Sequence, residues 1–373
     1  MSEEKINKKP FINRIEEKKY FLDYFKNIPD SILFVYWPKS TGKTTLIYKI
    51  INEELDRKRY DINFINMRSV LMTDFKDFRN LFFPESLKGK AKKILWVIWE
   101  IGAFWLKWNP WEENILETNI FWLMEDKLRK LNKEWIRPVI ILDEFQYLKD
   151  VFLDDKKEVR VINELFKFFI SITKQFNLCH VVCLTSDSYY MEKLYSDTKL
   201  ANTSDFYLME HLSKKDIFYW LEDLEKIDKK TVEKIWKNLW GSVWEIWQVL
   251  VSYKNTWSHK EKLDDLLQVK YSLIKEWYNN NNEKIYDIKV DEKIQKEIKY
   301  KLDIFINILK FIVKKWEFIR WRDWLADFEL IKELVDKDLW FYDAKSSKIT
   351  ANSKSLEIAF KRLLKELQSA PWG

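Results

Sequence analysis

The spacing of apolar residues changes along the chain, and each change predicts an element. Tyr20, Phe21, Tyr24 and Phe25 recur at helical intervals within 11–28, so a helix opens the readable pattern. SILFVY (31–36) is a short apolar run of strand type. The breaker-rich stretch WPKSTGK follows it, and then TTLIYKIINEEL, which reads as a helix. YDINFINM (60–67) predicts a second strand. VIILDEF (139–145) and HVVCLTS (180–186) are apolar runs ending in polar residues, the mark of buried parallel strands at their C-terminal edges. Between them, 158–176 places Val161, Leu165, Phe168, Phe169 and Ile172 on one helical face. Segment 112–133 reads as a helix, and 85–111 takes no firm assignment.

From 211 the pattern is helical, over 213–227, 229–238, 242–252 and 260–278. The Asn-rich YNNNNEK (278–284) predicts a linker. Helices at 291–315 and 323–336 follow, then a hairpin over 339–350 and a last helix over 354–368, capped by Asn352 or Ser353. Helices, a hairpin and a closing helix predict a winged-helix-like module.

Composition narrows the class. The 373 residues, 47% hydrophobic and 33% charged, exclude wholesale disorder. The run 94–108 is too short to span a membrane and carries Glu100, so no membrane partner is expected. No signal peptide is visible, and Cys179 and Cys183 lie in one apolar run; a reduced, cytoplasmic protein is expected. The net charge of +6 permits nucleic-acid contact without demanding it.

One pair of counts is abnormal. Glycine occurs 5 times and tryptophan 20 times, whereas the usual roughly 7% glycine would give about 26. Some genetic codes read UGA as glycine and others as tryptophan, so a gene of the first kind translated with the wrong table would show this imbalance. Trp37, Trp135, Trp240 and Trp372 stand where glycine is typical.

The strongest motif is WPKSTGKT, residues 37–44. G-x-x-x-x-G-K-[ST] between strand and helix cradles phosphates on backbone N–H groups at a helix N-terminus. Residues 38–44 satisfy the pattern; Trp37 replaces its first glycine and could crowd the turn. Pro38, Lys39, Ser40, Thr41, Gly42, Lys43, Thr44 and Thr45 are the candidate phosphate-binding set. Lys43 would reach the β- and γ-phosphates, and the Thr44 hydroxyl would bind Mg²⁺. The plain alternative is a chance GKT in a lysine-rich loop.

VIILDEFQYL (139–148) supplies the partner motif: Asp143 for the Mg²⁺ shell and Glu144 as general base. LTSDS (184–188) ends the next strand, where Thr185 or Ser186 could touch the γ-phosphate or the attacking water; a hydroxyl that merely satisfies a strand end is the alternative. Arg137 and Arg160 are unsupported candidates for an arginine finger. His180 and His211, as lone histidines, are expected to be structural. The lysine cluster 88–93 reads as a solvated loop. The fold expected is α/β, a P-loop NTPase core with a parallel sheet (1–210), a helical lid (211–280) and a C-terminal winged-helix-like domain (281–373).

FINRIEEKKYFLDYF, PKSTGKTTLI, VIILDEFQYL, LTSDSYYMEKLY and LVDKDLWFYDAKSSKITANSKSLEIAF together resemble the archaeal-type ATPase family, P-loop proteins close to AAA+ and STAND ATPases. The resemblance covers nearly the whole chain and implies an ATPase core, a helical lid and a winged-helix end, with ATP and Mg²⁺ as cofactors. It also implies that Arg14 lies near the nucleotide. Trp37 and WGSVWEIW (240–247) depart from the family's glycines. Three functions follow: ATP hydrolysis coupled to lid and winged-helix movement, a nucleotide-gated switch with little turnover, or DNA binding through Lys345, Lys348, Lys354, Lys361 and Arg362. A solvated helix face is the simpler account of those basic residues. A protein partner or self-association is left open.

Overall fold

In a computed structural model of the protein, residues 12, 14–38, 41–69, 120–153, 156–256, 258–319 and 327–369 are described, with Lys43 described in its backbone only. The expectations for 85–111, Lys39, Ser40 and Trp372 lie outside these residues.

Helix α1 (Ile15–Lys26) leads into β1 (Ile32–Tyr36), and α2 (Lys43–Lys49) starts five residues after Pro38, widening into a π-turn over Ile50–Glu54. Then come β2 (Tyr60–Asn66), α3 (Ile120–Lys133), β3 (Arg137–Asp143), α4 (Val161–Ile170), β4 (His180–Thr185), α5 (Ser188–Ser196), α6 (Thr198–Ala201) and β5 (Ser204–Leu208). The five strands form a parallel sheet in the order β2-β3-β4-β1-β5.

Period-two alternation explains why the strands read as unbroken apolar runs. Leu33 and Val35 of β1, with Val139 and Ile141 of β3 and Val182 and Leu184 of β4, face α1 and α2. Ile32, Phe34 and Tyr36, with Ile140, Leu142, Val181 and Cys183, face the opposite core against α3 and α4. Both cysteines are buried free thiols, and burial raises the pKa of each. Pro138 is the second residue of β3, outside the β4 pairing, which begins at Val139; its missing N–H costs that ladder nothing.

Helices α7 (Lys214–Phe218, continuing as a π-turn to Leu224), α8 (Lys229–Leu239) and α9 (Val243–Thr256) build a separate core on Ile217, Leu221, Ile235, Ile246 and Val249. Ser213 and Asp216 cap α7 reciprocally. Helix α10 runs from Lys260 to Tyr286, so the Asn-rich run 278–284 is helical and not a linker. Asparagine costs well under about 1 kcal/mol per helical residue, and packing outweighs it: Trp277 and Tyr278 meet Phe305 of α11 (Glu292–Lys315), and Ile285 joins the same core. The chain reverses instead between Asp287 and Asp291, where the Val290 N–H bonds the Asp287 carbonyl and Asp291 caps α11.

The C-terminal unit adds β6 (Phe318–Ile319), α12 (Phe328–Asp336), β7 (Trp340–Asp343), β8 (Lys348–Ala351) and α13 (Lys354–Ser369). Its antiparallel sheet has the order β6-β8-β7. The expected hairpin is β7–β8, and Ser353 rather than Asn352 caps α13 through the Leu356 N–H. This sheet docks against the C-terminal ends of the parallel strands. The Tyr36 hydroxyl donates to Asp343 at 2.7 Å, and the Tyr342 N–H to Ser188 Oγ at 3.2 Å. No helix among the described residues is long and apolar enough to cross a membrane.

Candidate nucleotide site

Parallel strands put all their C-terminal ends on one edge, and β4 lies between the two strands that carry the motifs. Register aligns Tyr36 with Thr185, and Asp143 with both Leu184 and Asn66. The turn after β1 therefore adjoins the turn after β4 and faces the turn after β3 across that single strand.

Gly42 ends the loop and caps α2 with φ 84° and ψ 22°. A β-carbon there would meet only Val243 Cγ2, at 3.9 Å. The dihedral, not lack of room, is what glycine supplies. The Leu46 N–H bonds the Gly42 carbonyl, which leaves the first N–H groups of α2 directed outward. Arg14, buried and itself left-handed at φ 32°, donates to the Thr41 carbonyl at 2.6 Å and to the Glu210 carbonyl at 2.8 Å, and pairs with Glu17. Its guanidinium holds the loop's backbone from behind.

The Trp37 ring is buried in the core cluster that holds Leu46 and Ile47 of α2 and Met209. Pro38 precedes the part of the loop outside the described residues, and Thr45 is solvent-exposed on α2.

Thr44 Oγ1 lies 3.4 Å from Asp143 Oδ2. Asp143 is 1% exposed at the tip of β3. Thr41 Oγ1 is buried with no hydrogen-bond partner in the described structure. A hydroxyl beside a buried carboxylate is an oxygen donor set of the kind a hard divalent cation takes, and the orphaned Thr41 hydroxyl fits a site built for a polar ligand. Burial, then the Asp143 charge, raises the pKa of the neighbouring Tyr48. Among the described residues no cluster of three or more His, Cys, Asp or Glu side chains forms a metal site of another kind.

Glu144 has φ 58° and ψ 43°, a left-handed conformation that turns its side chain away from the direction of β3. One carboxylate oxygen pairs with Arg68 at 2.9 Å. The other accepts from Gln146 Nε2 at 2.6 Å and from Ser186 Oγ at 3.0 Å. The Gln146 carbonyl oxygen accepts from Thr185 Oγ1 at 2.7 Å, and Thr185 also accepts from the Asp187 N–H. Ser186 thus reaches Glu144, and Thr185 reaches it through Gln146.

Arg68 and Gln146 escaped the sequence reading. Gln146 stands in the quoted VIILDEFQYL run, and Arg68 lies just past β2, whose end the register sets beside Asp143; the signal was adjacency of strand ends, which needs the strand order. Arg137 donates to the carbonyls of Phe25, Lys26 and Asn27 and closes α1, and Arg160 lies over Phe152. His180 is buried against Tyr24 and Phe25, with its pKa lowered to about 3 by burial and then by Arg137. His211 meets the Asn352 carbonyl at 3.2 Å.

Residues 11–249 match the family model described as an ATPase domain predominantly from Archaea. An uncharacterized ATP-binding protein of Methanocaldococcus jannaschii is 30% identical over 357 residues, covering 95% of this chain and 99% of its own. A second from the same organism is 32% identical over 363 residues, covering 95% and 94%. The solved structure of a Walker-type ATPase of Pyrococcus abyssi covers 94% of this chain and 96% of its own, with a TM-score of 0.60 and 13% identity. At that identity the likeness is one of fold.

Proposed function

The chain belongs to a family of ATPase domains found predominantly in Archaea, and from that premise we propose that it binds ATP with Mg²⁺ and hydrolyses it. The observation that carries the reading is the meeting of Thr44 and Asp143 across the β4 strand, beside a left-handed Gly42 and a helix N-terminus. The backbone N–H groups at the start of α2 hold phosphate oxygens, with Lys43 adding its charge. Thr44 and Asp143 would hold Mg²⁺, which when bound neutralises charge on the β- and γ-phosphates. Glu144 orients a water in line with the γ-phosphorus and accepts its proton as the bond to the β-phosphate oxygen breaks; ADP and phosphate leave. Gln146, Ser186 and Arg68 fix where that carboxylate stands.

Two placements support coupling to the C-terminal half. Val243 at the start of α9 is the nearest side chain to the Gly42 α-carbon's open face, and the C-terminal sheet, read here as a winged-helix-like module, bonds Tyr36 and Ser188 at the sheet edge. A shift of the loop on nucleotide exchange therefore bears on both units. DNA binding finds little support. Lys354 and Lys361 pair with Glu357, Lys348 pairs with Glu317, and Arg362 covers Tyr271.

Calorimetric Mg²⁺-ATP binding and phosphate release by the full chain, with and without EDTA, test the reading. Saturable, Mg²⁺-dependent binding with release is expected. Binding without release leaves the switch; no binding overturns the proposal.

A further inference from the structure

Three of the described tryptophans close helices in backbone conformations made for glycine. After α3, the Ile136 N–H bonds the Leu131 carbonyl at 3.0 Å and the Trp135 N–H bonds the Asn132 carbonyl at 3.1 Å. This is the Schellman closure, whose left-handed residue is most often glycine. Trp135 occupies it with φ 61°, and at 92% exposure its ring gains no packing in return. After α11, Trp316 (φ 70°, ψ −6°) donates to the Ile312 carbonyl at 2.7 Å, the single-bond version of the same cap.

Between α8 and α9 the Leu239 carbonyl accepts from the Ser242 N–H at 3.3 Å, closing a turn with residue 240 first of its two central positions. Trp240 has φ 47° and ψ −134°. Those are the dihedrals of a II′ turn, which takes glycine there. The next position tolerates nothing else: a β-carbon on Gly241 would stand inside the Leu212 backbone.

The other left-handed non-glycine residues among those described are all polar, with Asn177, Lys226 and Asp338 at helix ends, and asparagine and aspartate are the side chains that accept this region most readily. A bulky ring there is an outlier. The Trp240 and Trp316 rings stack at 5.0 Å, with the Lys354 ammonium 3.5 Å from the Trp316 centroid. That contact accounts for where the rings lie, not for two backbones in glycine conformations.

We propose that residues 135, 240 and 316 are glycine in the protein the cell makes, inserted at UGA codons that a code assigning UGA to tryptophan misreads, and that position 37 belongs to the same set. The composition, with 5 glycines against 20 tryptophans, is what such a misreading leaves. Glycine at 37 completes the first position of the phosphate-loop pattern; that member rests on the nucleotide reading, and the three helix ends do not.

The gene's codons, together with tandem mass spectra of peptides from the protein purified from its own source, decide the matter. UGA and glycine at 135, 240, 316 and 37 are expected. UGG, or peptides that carry tryptophan, at the three helix ends overturn the proposal, and tryptophan at 37 overturns that member. A second readout compares thermal unfolding of W135G, W240G and W316G with alanine at the same sites. Alanine removes the ring but keeps the β-carbon, so glycine is expected to favour the folded state by about fivefold more per site; equal midpoints contradict the backbone argument. Neither readout uses nucleotide, so failure here is distinct from failure of the ATPase proposal.

Discussion

The two walls of the candidate site are held in different ways. On the β3–β4 side, side chains do the holding: Glu144 is fixed by Arg68, Gln146 and Ser186, and Gln146 by Thr185. On the β1 side, what is held is backbone: Gly42 turns left-handed into α2, and the Arg14 side chain grips the Thr41 and Glu210 carbonyls. A side-chain network loses one hydrogen bond at a time, so its failures are graded. A backbone cradle loses its shape as a whole, so its failures are severe. Substitutions on the loop side should therefore abolish binding, and those in the network that holds Glu144 should trim turnover.

The largest effect is expected from Lys43→Ala, with Mg²⁺-ATP affinity by calorimetry falling by about a hundredfold or more. A milder loss would break the contrast between the walls. Arg14→Ala leaves two carbonyls and Glu17 without their donor; unfolding in denaturant should show a loss of about 1–3 kcal/mol, with weaker nucleotide binding alongside. Gln146→Leu, on the other wall, should lower turnover by about tenfold, the scale of one positioning hydrogen bond, while binding is unchanged.

The seam between the walls and the C-terminal unit has a pH signature. Burial, and then the Arg14 charge, hold His211 at about 4 against its ordinary 6.5. Between those values the unfolded chain binds a proton that the native state does not, so stability falls as pH drops from 6.5 towards 4. His211→Gln should flatten that part of a stability–pH profile. Tyr36→Phe removes only the bond to Asp343 and should cost about 1 kcal/mol or less, the smallest change in the series.

The legible parts of the molecule were those set by local spacing. β1, β3 and β4 alternate between two apolar faces, and β3 and β4 run into polar residues, so their runs and the placement of Thr44, Asp143 and Glu144 could be read directly. The Arg68–Glu144 pair could not, because it depends on β2 lying beside β3, a matter of strand order that no local pattern encodes. The segment 278–284 misled for a related reason: asparagine content speaks of propensity, while Trp277, Tyr278 and Ile285 decide the helix by packing on distant residues. Trp37 departs from the motif, and its burial with Leu46, Ile47 and Met209 is a matter of tertiary packing that no local pattern encodes.

The central claim is that Glu144 serves the chemical step while the loop after β1 serves binding. Glu144→Gln tests it most directly, with Mg²⁺-ATP affinity and phosphate release measured on the same preparation. The account predicts affinity within about threefold of the parent chain and release lower by at least about a hundredfold. Release at the parental rate would contradict it.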